Sequence, residues 1–66
     1  MICFSCGKSP EEIGEYITAG LENDLDPKDY VRFEEATYNP VTDHFCCTDC
    51  YIQIGMPTSP HGWKAP

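Results

Sequence analysis

The chain has 66 residues, five of them cysteine, and eleven acidic against four basic side chains give it a formal net charge of −7. A chain this short buries too little apolar surface to offset its backbone entropy unaided, so a metal, a disulfide or a partner must staple it. The acidic balance, with Lys8, Lys28, Arg32 and Lys64 scattered, argues against direct contact with a nucleic-acid backbone, and no apolar run is long enough for a membrane-spanning helix.

Ile2-Cys3-Phe4-Ser5-Cys6-Gly7 places two cysteines at C-x2-C spacing. The glycine behind the second permits a positive-φ turn that brings backbone N–H groups to the sulfurs, which is a zinc-knuckle pattern. Ser9-Pro10-Glu11-Glu12 then combines a serine cap, proline at the first helical position and Glu12 placed to close a capping box, predicting a helix to about Asn23. Ile13, Tyr16, Ile17 and Leu21 fall on one face of that amphipathic helix and read as core packing, while Gly14 and Gly20 weaken it.

Asp26-Pro27-Lys28-Asp29 repeats the start signal and predicts a helical turn. Beyond it Val31, Phe33 and Glu35 alternate as in extended chain, while Tyr30, Phe33 and Glu34 could equally continue the helix, and the reading taken is a short helical segment followed by a strand near residues 35–38. Thr37 to Phe45 reads as a β-hairpin. Asn39 and Pro40 take the first two positions of a type I turn, and Asp43 takes the left-handed bulge position. The returning strand runs into Cys46-Cys47-Thr48-Asp49-Cys50, where Thr48 or Asp49 caps a short helix over residues 50–54 that Gly55 and Pro57 end. Residues 56–66 hold three of the six prolines, no acid and the one tryptophan, predicting an extended tail behind a metal-binding domain of residues 1–55.

Cys3, Cys6, Cys47 and Cys50 form two C-x2-C pairs, the ligand set of a structural Zn2+ site, because thiolates three residues apart chelate two corners of one tetrahedron. Cys46 would give the rarer x3 spacing to Cys50, so Cys47 is favoured as ligand and Cys46 reads as a small buried hydrophobe. His44 and His61 are alternative ligands, read here as a hairpin-face residue and a tail residue. Glu11, Glu12, Glu15, Glu22, Asp24, Asp26 and Asp29 crowd the middle segment as a solvated acidic face or a docking surface for a basic protein. No acid/base pair, Ser/His/Asp arrangement or phosphate loop stands out, so the reading is a binding protein rather than an enzyme, with no small-molecule substrate. Free thiols in odd number, with no targeting segment at Met1-Ile2-Cys3, predict a reducing, cytoplasmic location. Trp63 either covers the domain's own small core or inserts into a partner, and the shortage of apolar cover favours the first.

A knuckle, a hairpin and a helix whose first turn carries the second cysteine pair resemble the treble-clef and zinc-ribbon type of zinc finger, at Cys3 to Gly7 and at Thr37 to Ile54. The resemblance covers about half the chain. It implies a small α+β, zinc-stabilised fold with an amphipathic helix inserted between knuckle and hairpin, acting as a protein-interaction module. A looser likeness, at Tyr38-Asn39-Pro40, the cysteine pair and the Gly-Met-Pro and Gly-Trp elements of the tail, is to small zinc-finger proteins of tailed phages, and implies the host cytoplasm. Rubredoxin-like iron electron carriers are an alternative, since Cys3-Phe4-Ser5-Cys6-Gly7 is similar to their first pair. Thr48 and Tyr51, however, stand where that family has proline and glycine in its second. A further alternative that suits the charge is an acidic mimic of DNA occupying a basic site on a nucleic-acid enzyme.

Overall fold

In the computed structural model, which describes residues 1–60 and 62–66, the chain runs through β1 (Ile2–Cys3), a 3-10 turn (Pro10–Glu12), α1 (Gly14–Glu22), α2 (Pro27–Glu34), β2 (His44–Phe45) and α3 (Thr48–Gln53). Among the described residues this makes a small α+β fold of three helices and a two-stranded sheet. No helix among them is long and apolar enough to cross a membrane.

The first helix does not begin where its cap signal stands. Ser9 makes no side-chain cap; its carbonyl accepts from the Glu12 N–H at 3.0 Å, so the capping box gives way to a 3-10 turn. Ile13 is extended (φ −117, ψ 111), and the α-helix starts afresh at Gly14. The predicted apolar stripe is corrected accordingly: Tyr16 is buried and Ile13 half-buried, but Ile17 is 39% and Leu21 75% exposed. Gly20 takes the inward place a turn beyond Tyr16. A Cβ there would lie 2.6 Å from the Leu25 carbonyl oxygen, so only glycine lets the chain double back this closely. The Leu25 N–H donates to the Gly20 carbonyl at 2.8 Å and the Asp24 N–H to Leu21 at 3.4 Å, with Asp24 left-handed at φ 57. That is a Schellman end, and it swings α1 directly into α2.

α2 starts as the sequence predicts, with the Asp26 carboxylate accepting from the Asp29 N–H at 3.0 Å and Pro27 at the first position. It continues to Glu34, so no strand forms at residues 35–38. The helical register puts Val31 in the core and leaves Phe33 68% exposed.

The hairpin shrinks to a single antiparallel bridge between Asn39 and His44. Its tip is closed by the Asp43 N–H donating to the Asn39 carbonyl at 2.8 Å, across four residues rather than the three of a type I turn, with Asp43 left-handed at φ 59. β2 instead pairs in parallel with β1, Ile2 opposite His44 and Cys3 opposite Phe45. This pairing sets the first cysteine pair beside the second.

Around it Cys3, Tyr16, Val31, Tyr38, Phe45 and Cys46 form the core, the Tyr16 ring edge-on to Phe45 at 5.5 Å. Residues 56–66 form no helix or strand among those described, and they return along the domain. The Ala65 N–H donates to the Thr37 carbonyl at 2.9 Å, and Trp63 lies 5.9 Å from Phe4 and 5.8 Å from Tyr51, centroid to centroid. Trp63 therefore covers the domain's own core.

Candidate metal centre

Cys3 ends β1, and the turn after it presents Cys6. Gly7, left-handed at φ 77, closes this knuckle as its N–H donates to the Cys3 carbonyl at 3.0 Å, while the Cys3 N–H donates to Lys8 at 2.8 Å. Cys47 stands at the N-cap of α3, where Thr48 or Asp49 was expected, and Cys50 follows in the first turn. Bond geometry at a thiolate-bound zinc, about 2.3 Å per bond, sets sulfur–sulfur edges of about 3.8 Å. The sulfurs of Cys3, Cys6, Cys47 and Cys50 all lie within 4.8 Å of one another, and those of Cys6 and Cys47 are 3.9 Å apart. The donor set fits a four-coordinate metal ion such as zinc.

Cys46 stands outside this group. Its thiol is directed to the Cys47 carbonyl at 3.7 Å, and burial, reinforced by the charges of Cys3 and Cys50, pushes it up to about 11. His44 is turned away, its Nδ1 2.9 Å from the Pro66 carbonyl oxygen. His61 lies outside the described residues.

Three of the four clustered cysteines are buried (Cys3 0%, Cys47 6%, Cys50 6% exposed), whereas Cys6 opens to solvent. Burial raises the Cys3 thiol, but backbone N–H groups of Cys47, Cys6 and Ser5 outweigh it and bring the group down to about 6. The Cys47 N–H is 3.5 Å from the Cys3 sulfur. Burial holds the thiols of Cys47 and Cys50 above the usual range. Four thiolates this close repel one another, and a divalent cation is what allows all of them to ionise together.

Thr37 was not singled out in the sequence, and it fixes the approach to the second pair. Its hydroxyl donates to the Cys46 carbonyl and accepts from the Cys46 N–H, both at 3.0 Å. It sits where the Asn39–His44 ladder would continue, so a side chain replaces the missing strand bonds. Register counting along the predicted hairpin was the signal that could have found it.

The acidic side chains are mostly exposed. Glu11 pairs with Lys28 at 3.7 Å, Asp29 with Arg32 at 2.7 Å, and Glu15 accepts from the Thr48 hydroxyl at 2.9 Å, tying α1 to α3. Glu12, Glu15 and Asp49, with Lys8, border a surface cleft onto which Cys6 opens. No protein-family model, curated protein or solved structure matches this chain.

Proposed function

We propose that the protein is a small zinc-binding interaction module of treble-clef type, cytoplasmic, acting by binding a basic protein rather than by catalysis. The observation that carries this reading is the convergence of Cys3, Cys6, Cys47 and Cys50 on one point, which an ion can occupy as a staple between the two ends of the fold. Thr48 and Tyr51, in place of the proline and glycine of an iron-type second pair, favour zinc over iron. Trp63 packs on its own domain, which favours the acidic face as the docking surface: Glu11, Glu12 and Glu15 are all exposed there, and Glu12 and Glu15 border the cleft at Cys6. A dense field of one sign steers an oppositely charged partner and loses force in salt.

The test has two arms. The purified protein should be colourless and metal analysis should return one zinc per chain; a red, iron-loaded protein would replace the zinc reading with the electron-carrier one. Affinity capture from cells of the source organism should retain the same basic protein at low salt, lose it at high salt, and lose it when Glu11, Glu12 and Glu15 are reversed to lysine. Capture indifferent to both salt and charge reversal would refute the acidic face as the docking surface.

A further inference from the structure

The returning tail does not close completely on the core. Between them lies a cavity of about 350 Å³, at the small end of ligand pockets, with mostly apolar walls that include Glu35, Thr37, Cys46, Tyr51, Pro57 and Trp63. Trp63 and Tyr51 form an aromatic corner there, their planes at 51°. Glu35, the C-cap of α2, lines the cavity and is half-buried. Its carboxylate accepts from the Tyr16 hydroxyl at 2.8 Å and from the Thr37 N–H at 3.4 Å.

Among the described residues no cation lies within ion-pair distance of Glu35, and no basic side chain lines the cavity. The two cations that share a neighbouring surface hollow with Glu35 are engaged elsewhere: Arg32 with Asp29, and Lys64 with the Ala36 carbonyl at 2.8 Å. A half-buried carboxylate with no counter-ion among the described residues, in an apolar pocket with two aromatic rings, is complementary to an organic cation. Guanidinium suits it better than ammonium. It is more weakly hydrated, it stacks on aromatic faces, and its flat fork of N–H groups reaches a carboxylate whose other lone pairs are in use.

We propose that this cavity receives an arginine side chain of a basic partner protein, the stem lying against Trp63 and Tyr51 and the guanidinium facing the Glu35 carboxylate. The inference rests on the reading of the protein as a module for a basic partner, and the two fail separately.

Trp63 is the one tryptophan of the chain, so its emission reports on the cavity directly. The zinc-loaded full chain is titrated with a blocked Gly-Arg-Gly peptide and with its citrulline counterpart, which keeps the shape and removes the charge. The arginine peptide should change Trp63 emission saturably, and citrulline should bind about tenfold more weakly or worse. Glu35→Gln, which keeps an acceptor for Tyr16, should weaken the arginine peptide by a similar factor with zinc content unchanged. Equal response to the two peptides, or no saturable response, overturns the proposal on the unaltered protein, whatever the variant does. Arginine-peptide binding that survives Glu35→Gln but is lost on reversing Glu11, Glu12 and Glu15 also overturns it, while leaving the basic-partner reading intact. Saturable arginine binding at Glu35, alongside partner capture indifferent to salt and to charge reversal, overturns the acidic-face reading and upholds the cavity.

Discussion

Acid should release the metal and the fold together, over a narrow range between about pH 5 and 6. A free cysteine titrates at about 8.5, so below about pH 7.5 the unfolded, metal-free chain carries four ligand protons that the bound form lacks. Bound thiolates have pKa values depressed below the unfolded one; their contribution is therefore present above the unfolded pKa and is lost as pH falls. Each such proton is worth about 1.4 kcal/mol per pH unit, and four are worth about 5.5. Structural zinc contributes roughly 10–16 kcal/mol at pH 7, of which about 4 offsets dilution of the ion to millimolar concentration. The remaining ~6–12 kcal/mol is used up one to two pH units lower. Among the described residues there is no second staple: all five cysteines are free, and Cys3 and Cys47 belong to the core itself. Far-UV circular dichroism, Trp63 emission and a zinc-sensitive dye, followed together at fixed total zinc, should show one coincident transition with a proton slope approaching four. A protein still folded and loaded at pH 4, or a slope near one, would refute the four-thiolate staple.

Other outcomes follow from the same geometry. Cys47→Ser removes a clustered sulfur and should weaken zinc binding at least about a hundredfold with loss of structure, whereas Cys46→Ser should keep stoichiometric zinc at a cost of about 1–2 kcal/mol, read by competition titration and thermal melts. The reverse ranking would move the ligand to Cys46. Gly20→Ala gains about 1 kcal/mol of helix propensity but drives a Cβ to 2.6 Å from the Leu25 carbonyl oxygen, so it should lower Tm by roughly 5–15 °C; a raised Tm would show that the turn relaxes freely. Trp63→Ala should cost about 2 kcal/mol, and the unaltered protein should show blue-shifted emission without any partner; an unchanged Tm would mean the tail does not cover the core.

What the sequence determined by itself is the chemistry that acts within about four residues. Cysteines three apart, on a knuckle and on a helical turn, can each offer a pair of sulfurs to one ion. Asp26 and Pro27 start a helix through contacts inside the first turn, Asp43 accepts a left-handed backbone, and Gly55 ends α3 at φ 92. Where a local pattern admitted two answers, contacts distant in sequence chose between them. Ser9-Pro10-Glu11-Glu12 carries as good a start signal as Asp26-Pro27-Lys28-Asp29, yet it yields only a 3-10 turn, because Ile13 packs extended against the core and Tyr16 must reach both Phe45 and Glu35. Residues 31–35 suit a strand or a helix equally, and burying Val31 rather than Phe33 decided it. The parallel pairing of Ile2–Cys3 with His44–Phe45 left no trace in the sequence, since a two-residue strand has no periodicity to read. Its partner lies some forty positions away, and only closure of the cysteine cluster and burial of Phe45 bring the two segments side by side. The same holds for Trp63 and Ala65. Composition marked the tail as extended, but its path along Thr37 and Asn39 depends on the apolar surface that the folded domain leaves uncovered and on backbone groups there that still need partners.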